Sequence, residues 1–553
     1  MKKQIYRIAL AAVMVIPSVS LLNSCNDAID IIQEGELDDA AVFSSVANMK
    51  SYLLGIYGRV DTTSEIKLTS VFTDEVGIGP ANSGFDYSLH RFILNSGEGY
   101  SAAIWANHYI TIDRVNRFLR GAALYTPTAS ELKEYNDALA QARVIRAFAY
   151  FQLETYFSTD MKDPNALGVV LNDTVQEIDV KLPRSTNAEI FAFIENDLAF
   201  AEANLDPSVP VPNTYPAKYM MVNQNFINAM KARYYLYRGD HPKARQFAQK
   251  VITESGLALS QATPVVPTNI TANPTTLQWN NNFYGTSTVS SVNPYRMMWA
   301  DRTQGEVIFG LSRPANGSTG GIATLYTTNS STTGGAVLFD MGRNLFNILD
   351  TTDTKPYVVN GQNGNQPIPV SGDVRRFAFI DPTTTYSKID KNYETNPGYQ
   401  LDDVLVIDKY PGKIGTAFVL KNDIKVFRLS EMYFILAECA VAEGNLTQAA
   451  EYVNTIRKAR YFHTVPVAPN YANATAAYAD ILKERRVELC FEGHRYVDLK
   501  RLGQLANVAI DRHFTDDVIS TLPTTIPYDH RFTLPIPLNE IRGNGNIQQN
   551  PGY

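Results

Sequence analysis

Charge, sulfur and catalytic motifs are all scarce in this sequence. Three of its 553 residues are cysteine (Cys25, Cys439 and Cys490). That is too few for a disulfide framework or for a zinc cluster built mainly of thiolates. Charged residues make up 19 %, with 49 basic side chains against 56 acidic and a net charge of −7. No basic surplus exists to hold a nucleic-acid backbone. The seven histidines show neither HExxH nor HxH spacing, so a metal site has no support. No GxSxG element and no phosphate-binding glycine loop occurs. After the first residues, no apolar run reaches the roughly 18 residues that span a bilayer. Tryptophan is rare at 3, whereas tyrosine (31) and phenylalanine (26) are plentiful. The apolar fraction of 45 % is that of a packed globular chain rather than a disordered one. Length alone would allow three to four domains of about 150 residues.

Residues 1–24 read as an export signal. Lys2, Lys3 and Arg7 precede an apolar run over 8–16, which Pro17 ends. Such a run fits a signal peptide and is too short for a spanning helix. Leu22-Asn23-Ser24-Cys25 resembles a bacterial lipobox. The resemblance implies cleavage before Cys25 and diacylation of that cysteine, and two acyl chains suffice for stable anchoring. Residues 25–45 then form a tether. Loss of the three basic residues of the signal takes the net charge from −7 to −10.

Most of the remaining chain reads as helix. Val46, Met49, Leu53, Ile56, Tyr57 and Val60 recur at three- and four-residue steps and give one apolar stripe. Two segments, 229–252 and 432–456, match each other. Each has a glycine in the middle (Gly239, Gly444), an alanine seven residues before it (Ala232, Ala437) and another five residues after it (Ala244, Ala449). This is the spacing of a tetratricopeptide helix hairpin. The glycine permits the tight turn, and the alanines let the helices approach.

Composition changes sharply between the hairpins. Residues 255–295 contain no charged side chain but hold Trp279, Phe283, Tyr284 and Tyr295, with Trp299 just beyond. Residues 306–311 read as a short strand, and Tyr326 lies in the Gly- and Thr-rich sequence that follows. Upstream, the loop-like stretch 84–100 carries Phe85, Tyr87, His90 and Arg91. Flat aromatic faces among neutral hydrogen-bonding side chains suit sugars, whose C–H faces pack on rings and whose hydroxyls need amide or backbone partners.

Three C-terminal stretches carry a more specific signal: NDIKVFRLSEMYFILAE over 422–438, ILKERRVELCFEGHRYVDLKRLG over 481–503 and FTLPIPLNEIRGNGNIQQNPGY over 532–553. They closely resemble the SusD/RagB family of outer-membrane nutrient-binding lipoproteins. The lipobox, residues 51–57, 105–118 and 142–151 and both hairpins fit the same family. The resemblance implies a mostly α fold over 46–553. Helical hairpins form the scaffold (about 46–254 and 420–553), and a loop-rich insertion with short strands (about 255–419) faces the ligand.

The resemblance also implies a lipid-anchored place on the outer cell surface, no catalysis and no cofactor. The implied partner is a SusC-like TonB-dependent transporter that receives the captured oligosaccharide. Expected ligand contacts are Trp279, Tyr284, Tyr295, Trp299, Tyr326, Phe85 and Tyr87, with Asn281, Asn282, Arg296 and Arg91 as hydrogen-bond partners. Alternatives are a RagB-like oligopeptide receptor, a surface glycoside hydrolase and a protein-interaction scaffold.

Glu484, Arg485, Arg486, Glu488, Glu492, His494, Arg495 and Asp498 look at first like an active site. They read instead as a structural charge network, with Arg485–Glu488 and Glu492–Arg495 placed on neighbouring turns. The pairs Asp74-Glu75 and Asp402-Asp403 are adjacent in sequence, which does not support the spacing across a sugar that a glycosidase requires, and they are expected on the surface. Cys439 and Cys490 sit in apolar helical contexts and are expected to be buried.

Overall fold

Eleven helices of ten or more residues stand among the described residues. They are α1 (Val46–Tyr57), α2 (Thr63–Phe72), α3 (Gly99–Ala122), α4 (Leu132–Phe157), α5 (Asn187–Asn204), α6 (Gln224–Tyr237), α7 (His241–Glu254), α8 (Leu429–Ala442), α9 (Leu446–Arg460), α10 (Ala474–Glu488) and α11 (Arg495–Ala506). The structure is a computed structural model. It describes residues 42–177, 179–209, 217–263, 267–269, 278–279, 294–314, 321–326, 336–351, 354–361, 364–380, 388–412, 421–463 and 466–553; at 267–269, 278–279, 351, 354–361 and 364–370 it describes the backbone alone. Cys25 and its lipobox lie outside these residues.

Both expected hairpins form. Gly239 and Gly444 take φ of +78° and +80°, a left-handed turn that side-chain-bearing residues disfavour. Asp240 and Asn445 follow as N-caps, accepting from the backbone N–H of Lys243 and Gln448. Ala232, Ala244, Ala437 and Ala449 are all fully buried between the helices. The apolar stripe of α1 is buried as its spacing predicts. Helix α4 runs through the centre, where every residue from Val144 to Phe157 is buried. An element apolar or satisfied on all sides belongs inside a large core.

The strands are short and pair antiparallel two by two. β1 (Val76–Ile78) joins β5 (Phe339–Met341), and β4 (Val307–Leu311) joins β8 (Ile424–Arg428). β2 (Pro267–Asn269) pairs with β3 (Gln278–Trp279), and β6 (Thr354–Gly361) with β7 (Gly364–Ser371). Strand β4 confirms the reading of 306–311, and pairing with β8 stitches the insertion to the start of the second hairpin. Tyr295, Trp299, Phe309 and Tyr326 share one apolar cluster with Phe151 and Tyr234 of the helices. The described part of 255–419 therefore helps to build the scaffold core.

The charged signature is a buried lattice. Glu488 accepts from Arg428 and Arg460 at 2.8 Å each, and from Arg375 at 3.2 Å. Glu306, at the head of β4, accepts from Arg428 at 2.6 Å and Arg460 at 2.9 Å. Glu492 takes Arg428 and Lys409 at 2.7 Å each. Asp373 holds Arg375 at 2.7 Å. Four cations thus meet four carboxylates, all with side chains 2 % exposed or less.

The neighbouring-turn pairs are a correction. Arg485 bonds Asp498 at 2.7 Å and Arg495 grips Asp74 at 2.7 and 2.8 Å. Buried arginine forks need carboxylates at fixed angles, and the fold supplies these from distant segments. Asp74 and Glu75 are accordingly buried, against the surface expectation, and Asp403 is paired with Arg343 at 2.8 Å; Asp402 alone of the four is exposed. Burial opposes ionisation of Asp74, but Arg486 and Arg495 overcome it and hold its carboxyl well below the usual range. Cys439 and Cys490 are buried free thiols, as expected.

Candidate functional site

Residues 82–92 form a loop that contains one helical turn, Tyr87–His90, and has an unusual backbone. Ser83, Asp86 and Phe92 take φ of 54°, 55° and 61°, and Gly84 takes 96°. Each left-handed residue other than glycine costs about 1–2 kcal/mol. Such strain persists only where the surroundings over-determine it, and it concentrates at functional sites.

The surroundings here do so. Asn82 donates to the Leu338 carbonyl at 2.9 Å, next to the β1–β5 ladder. The Tyr100 hydroxyl at the start of α3 donates to Asp86 at 2.7 Å. Arg512 donates to the carbonyls of Val71, Thr73 and His90, and its guanidinium lies 4.1 Å from the Phe92 ring centre. Arg91 donates through Nε and Nη2 to both oxygens of Asp517, at 3.1 and 3.0 Å. Its guanidinium also covers the Tyr87 ring at 4.6 Å.

The loop presents Phe85. Its ring is 46 % exposed, with its other side towards Phe339 at 6.3 Å between centroids. Tyr87 and Arg91 are half-buried beside it. A large apolar ring held open to water on a rigid, strained loop is suited to stack on a ligand face. Arg91 Nη1 makes no hydrogen bond among the described residues, so its two N–H groups remain available to an acceptor.

The structure corrects four of the expected contacts. Tyr295, Trp299 and Tyr326 are 1 %, 0 % and 1 % exposed. Arg296 is spent on Asp408, at 2.5 Å, and on the Ala378 carbonyl. Tyr295 and Trp299 pack against Phe379, and Tyr326 against Phe491. They are core residues because two short helices inside the insertion, Pro294–Trp299 and Ala323–Tyr326, turn them inward. Tyr284, Asn281 and Asn282 lie outside the described residues, as does the side chain of Trp279, whose backbone pairs with Pro267 in the β2–β3 ladder. Sequence reading missed Asp517 and Arg512, which come from far along the chain and carry no local motif.

Two carboxyls at the β1–β5 pair are raised by burial. Burial raises Asp340 to about 8, despite the Leu405 N–H it accepts, and raises Glu75 to about 7. Glu75 is fully buried and Asp340 is 9 % exposed. Among the described residues no three metal-ligating side chains cluster, and no helix is long and apolar enough to cross a membrane.

Linkage gives a testable sign. A carboxyl raised from 3.8 to about 8 contributes full stability below about pH 4, and that contribution is lost as pH rises through 8. Asp340→Asn keeps an acceptor for Leu405 and removes the ionisation. Its melting temperature is expected to gain on the parent between pH 5 and pH 8.5, measured by calorimetry at both values. Parallel pH profiles would refute the assignment.

Two openings are lined by none of residues 82–92. One, about 390 Å³, lies among Leu53, Asp137 and Met221. An open groove of about 760 Å³ on α3 holds Tyr52, Trp105 and Tyr109. Trp105 is 3 % exposed, as its helical spacing predicts, and meets Phe157 edge-on, while the Tyr109 hydroxyl is held by Val170.

Comparison with known proteins decides the lineage. Residues 35–236 match a family model described as starch-binding and associating with the outer membrane, and residues 376–553 match the SusD family model. The chain is a SusD-like protein. SusD-like protein P2 of Formosa agariphila is 23 % identical over 94 % of this chain and 95 % of its own length. A SusD superfamily crystal structure from Bacteroides thetaiotaomicron superposes with a TM-score of 0.68 at 22 % identity, over 92 % of this chain and all of that one. A SusD-like carbohydrate binding protein from Bacteroides vulgatus reaches 0.62 at 17 % identity, over 91 % and 97 %. The SusD-like fold accounts for the helical hairpins, and its C-terminal signature is the buried charge lattice.

Proposed function

We propose that this SusD-like protein is a non-catalytic glycan receptor of the outer cell surface, anchored by lipid at Cys25. It captures oligosaccharides and passes them to a SusC-like TonB-dependent transporter without breaking a bond. The ligand rests on Phe85, with Tyr87 and Arg91 beside it. Trp279, Tyr284, Asn281 and Asn282 of the uncharged insertion contribute further contacts.

The observation that carries this reading is the strained loop that holds Phe85 open to solvent. The starch-binding description of the N-terminal family model and the likeness to a SusD-like carbohydrate binding protein from Bacteroides vulgatus support a sugar as the ligand.

Phe85→Ala is expected to weaken binding about tenfold, the worth of one stacked ring at about 1–1.5 kcal/mol. Its melting temperature should stay within a degree or two, because nearly half the ring is already in water. Affinity electrophoresis against starch, xylan, mannan and fructan would measure the first, and calorimetry the second. Undiminished binding by this variant would remove Phe85 from the site, and release of reducing ends by the parent protein would defeat the non-catalytic reading.

A further inference from the structure

We propose that Asp517 sets the ligand class of the Phe85 surface, by fixing Arg91 in place and cancelling its charge so that the site takes neutral rather than anionic oligosaccharides. This inference rests on the glycan reading above and adds to it the charge of the sugar and the residue responsible.

Arg91 is the loop's one permanent cation. Residues 82–92 otherwise contribute Asp86, engaged by Tyr100, and His90, which burial and the nearby Arg512 push down to about 4 and so leave neutral. A free guanidinium beside an exposed aromatic ring would favour carboxylate- or sulfate-bearing sugars, which it binds bidentately. Asp517 occupies that fork. Both its oxygens accept from Arg91, and Oδ1 also accepts from the Ile519 N–H at 2.9 Å. The side chain of Asp517 is 12 % exposed and that of Arg91 23 %. A second carboxylate or sulfate finds the Nε/Nη2 edge taken and meets the negative charge of Asp517 beside the edge that is left.

The remaining Nη1 can donate to a hydroxyl oxygen, which carries no charge. The sequence agrees from another direction, since 255–295, the stretch richest in candidate sugar contacts, has no charged residue.

Asp517 is also mechanically placed. Its backbone carbonyl accepts from the Tyr399 hydroxyl at 2.9 Å, and its carboxylate stands 3.4 Å from His90 Nδ1. One residue therefore ties the 399–402 turn and the 514–519 segment to the strained loop. Its role is that of a positioning residue for Arg91 and, through it, Tyr87.

Asp517→Asn separates the two readings. Maltoheptaose, xylohexaose and mannohexaose serve as neutral probes and hexagalacturonate as the anionic one, with calorimetric titration of the parent protein, Asp517→Asn and the double variant Arg91→Gln/Asp517→Asn. Amide hydrogen exchange over 82–92 is followed in parallel. The parent is expected to prefer at least one neutral probe. Asp517→Asn should shift the neutral-to-anionic affinity ratio by about tenfold towards hexagalacturonate and speed exchange in the loop. The double variant should lose the anionic gain.

An unchanged ratio, or a gain that persists without Arg91, overturns the proposal, as does a parent that prefers hexagalacturonate. Binding of no probe by any form, with faster loop exchange in Asp517→Asn, would sink the glycan reading while leaving Asp517 as the loop's anchor. Asp517→Glu, which keeps the charge, guards against simple misfolding and should retain the parent's preference.

Discussion

Trp299→Ala is expected to unfold the protein, not to spare it and weaken sugar binding. The indole is fully buried, with Phe379 and Tyr410 edge-on at 6.2 and 5.8 Å. Three cations flank its faces: Lys409 at 4.4 Å, Arg428 at 5.2 Å and Lys425 at 5.5 Å from a ring centre. Removing a buried tryptophan costs about 3–5 kcal/mol from lost transfer energy and the cavity left behind. Desolvated cation–π contacts add about 2 kcal/mol or more. Against a total stability of about 5–15 kcal/mol, this is a large share. Denaturant titration followed by circular dichroism should show the midpoint falling sharply or the native baseline vanishing. A parent-like midpoint together with loss of glycan affinity would return Trp299 to the ligand surface.

Glu488→Ala should be as damaging for a different reason. This carboxylate is the shared acceptor of Arg375, Arg428 and Arg460. Burial would raise its pKa, yet Arg460 and Arg428 reverse the effect and hold it well below the usual carboxylate range. Breaking a buried ion pair from one side costs about 3–5 kcal/mol, because the opposite charge stays buried without compensation. Here three guanidinium groups lose a partner at once. Glu488→Gln retains one acceptor oxygen and should fall between parent and alanine variant in thermal midpoint. If both variants melt like the parent, the lattice has no role in stability.

Those two outcomes bear on what could be read from the sequence. The helical hairpins were legible because helix periodicity and the Gly–Ala spacing are local patterns, and local patterns survive folding unchanged. The structural character of the charged run over 484–498 was also legible, though its pairings were not. Arg495 bonds Asp74, 421 residues away, and no spacing rule reaches that far. Aromatics in the insertion were misassigned for a related reason. Composition counts rings without saying which way each points, and Tyr295, Trp299 and Tyr326 point inward. The stretch carrying Phe85, Tyr87 and Arg91 was recognisable as a loop. Its left-handed residues were not, since serine and phenylalanine give no hint of positive φ, and Asp517 stands 426 positions from the arginine it neutralises.

The meeting of Glu306 with Arg428, Arg460 and Glu488 has a temporal side. A chain made from its N-terminus has Glu306 long before its partners, which arrive 122 and 154 residues later. Until then β4 has no β8 and the acid has no counter-charge. Contacts closed over such spans form late and slowly, since the entropy of closing the loop must be overcome before any of them is gained. A chain cut short before residue 488 lacks the acceptor shared by Arg375, Arg428 and Arg460 and should remain protease-sensitive. The lattice around Glu306 locks only when the last third of the chain has arrived.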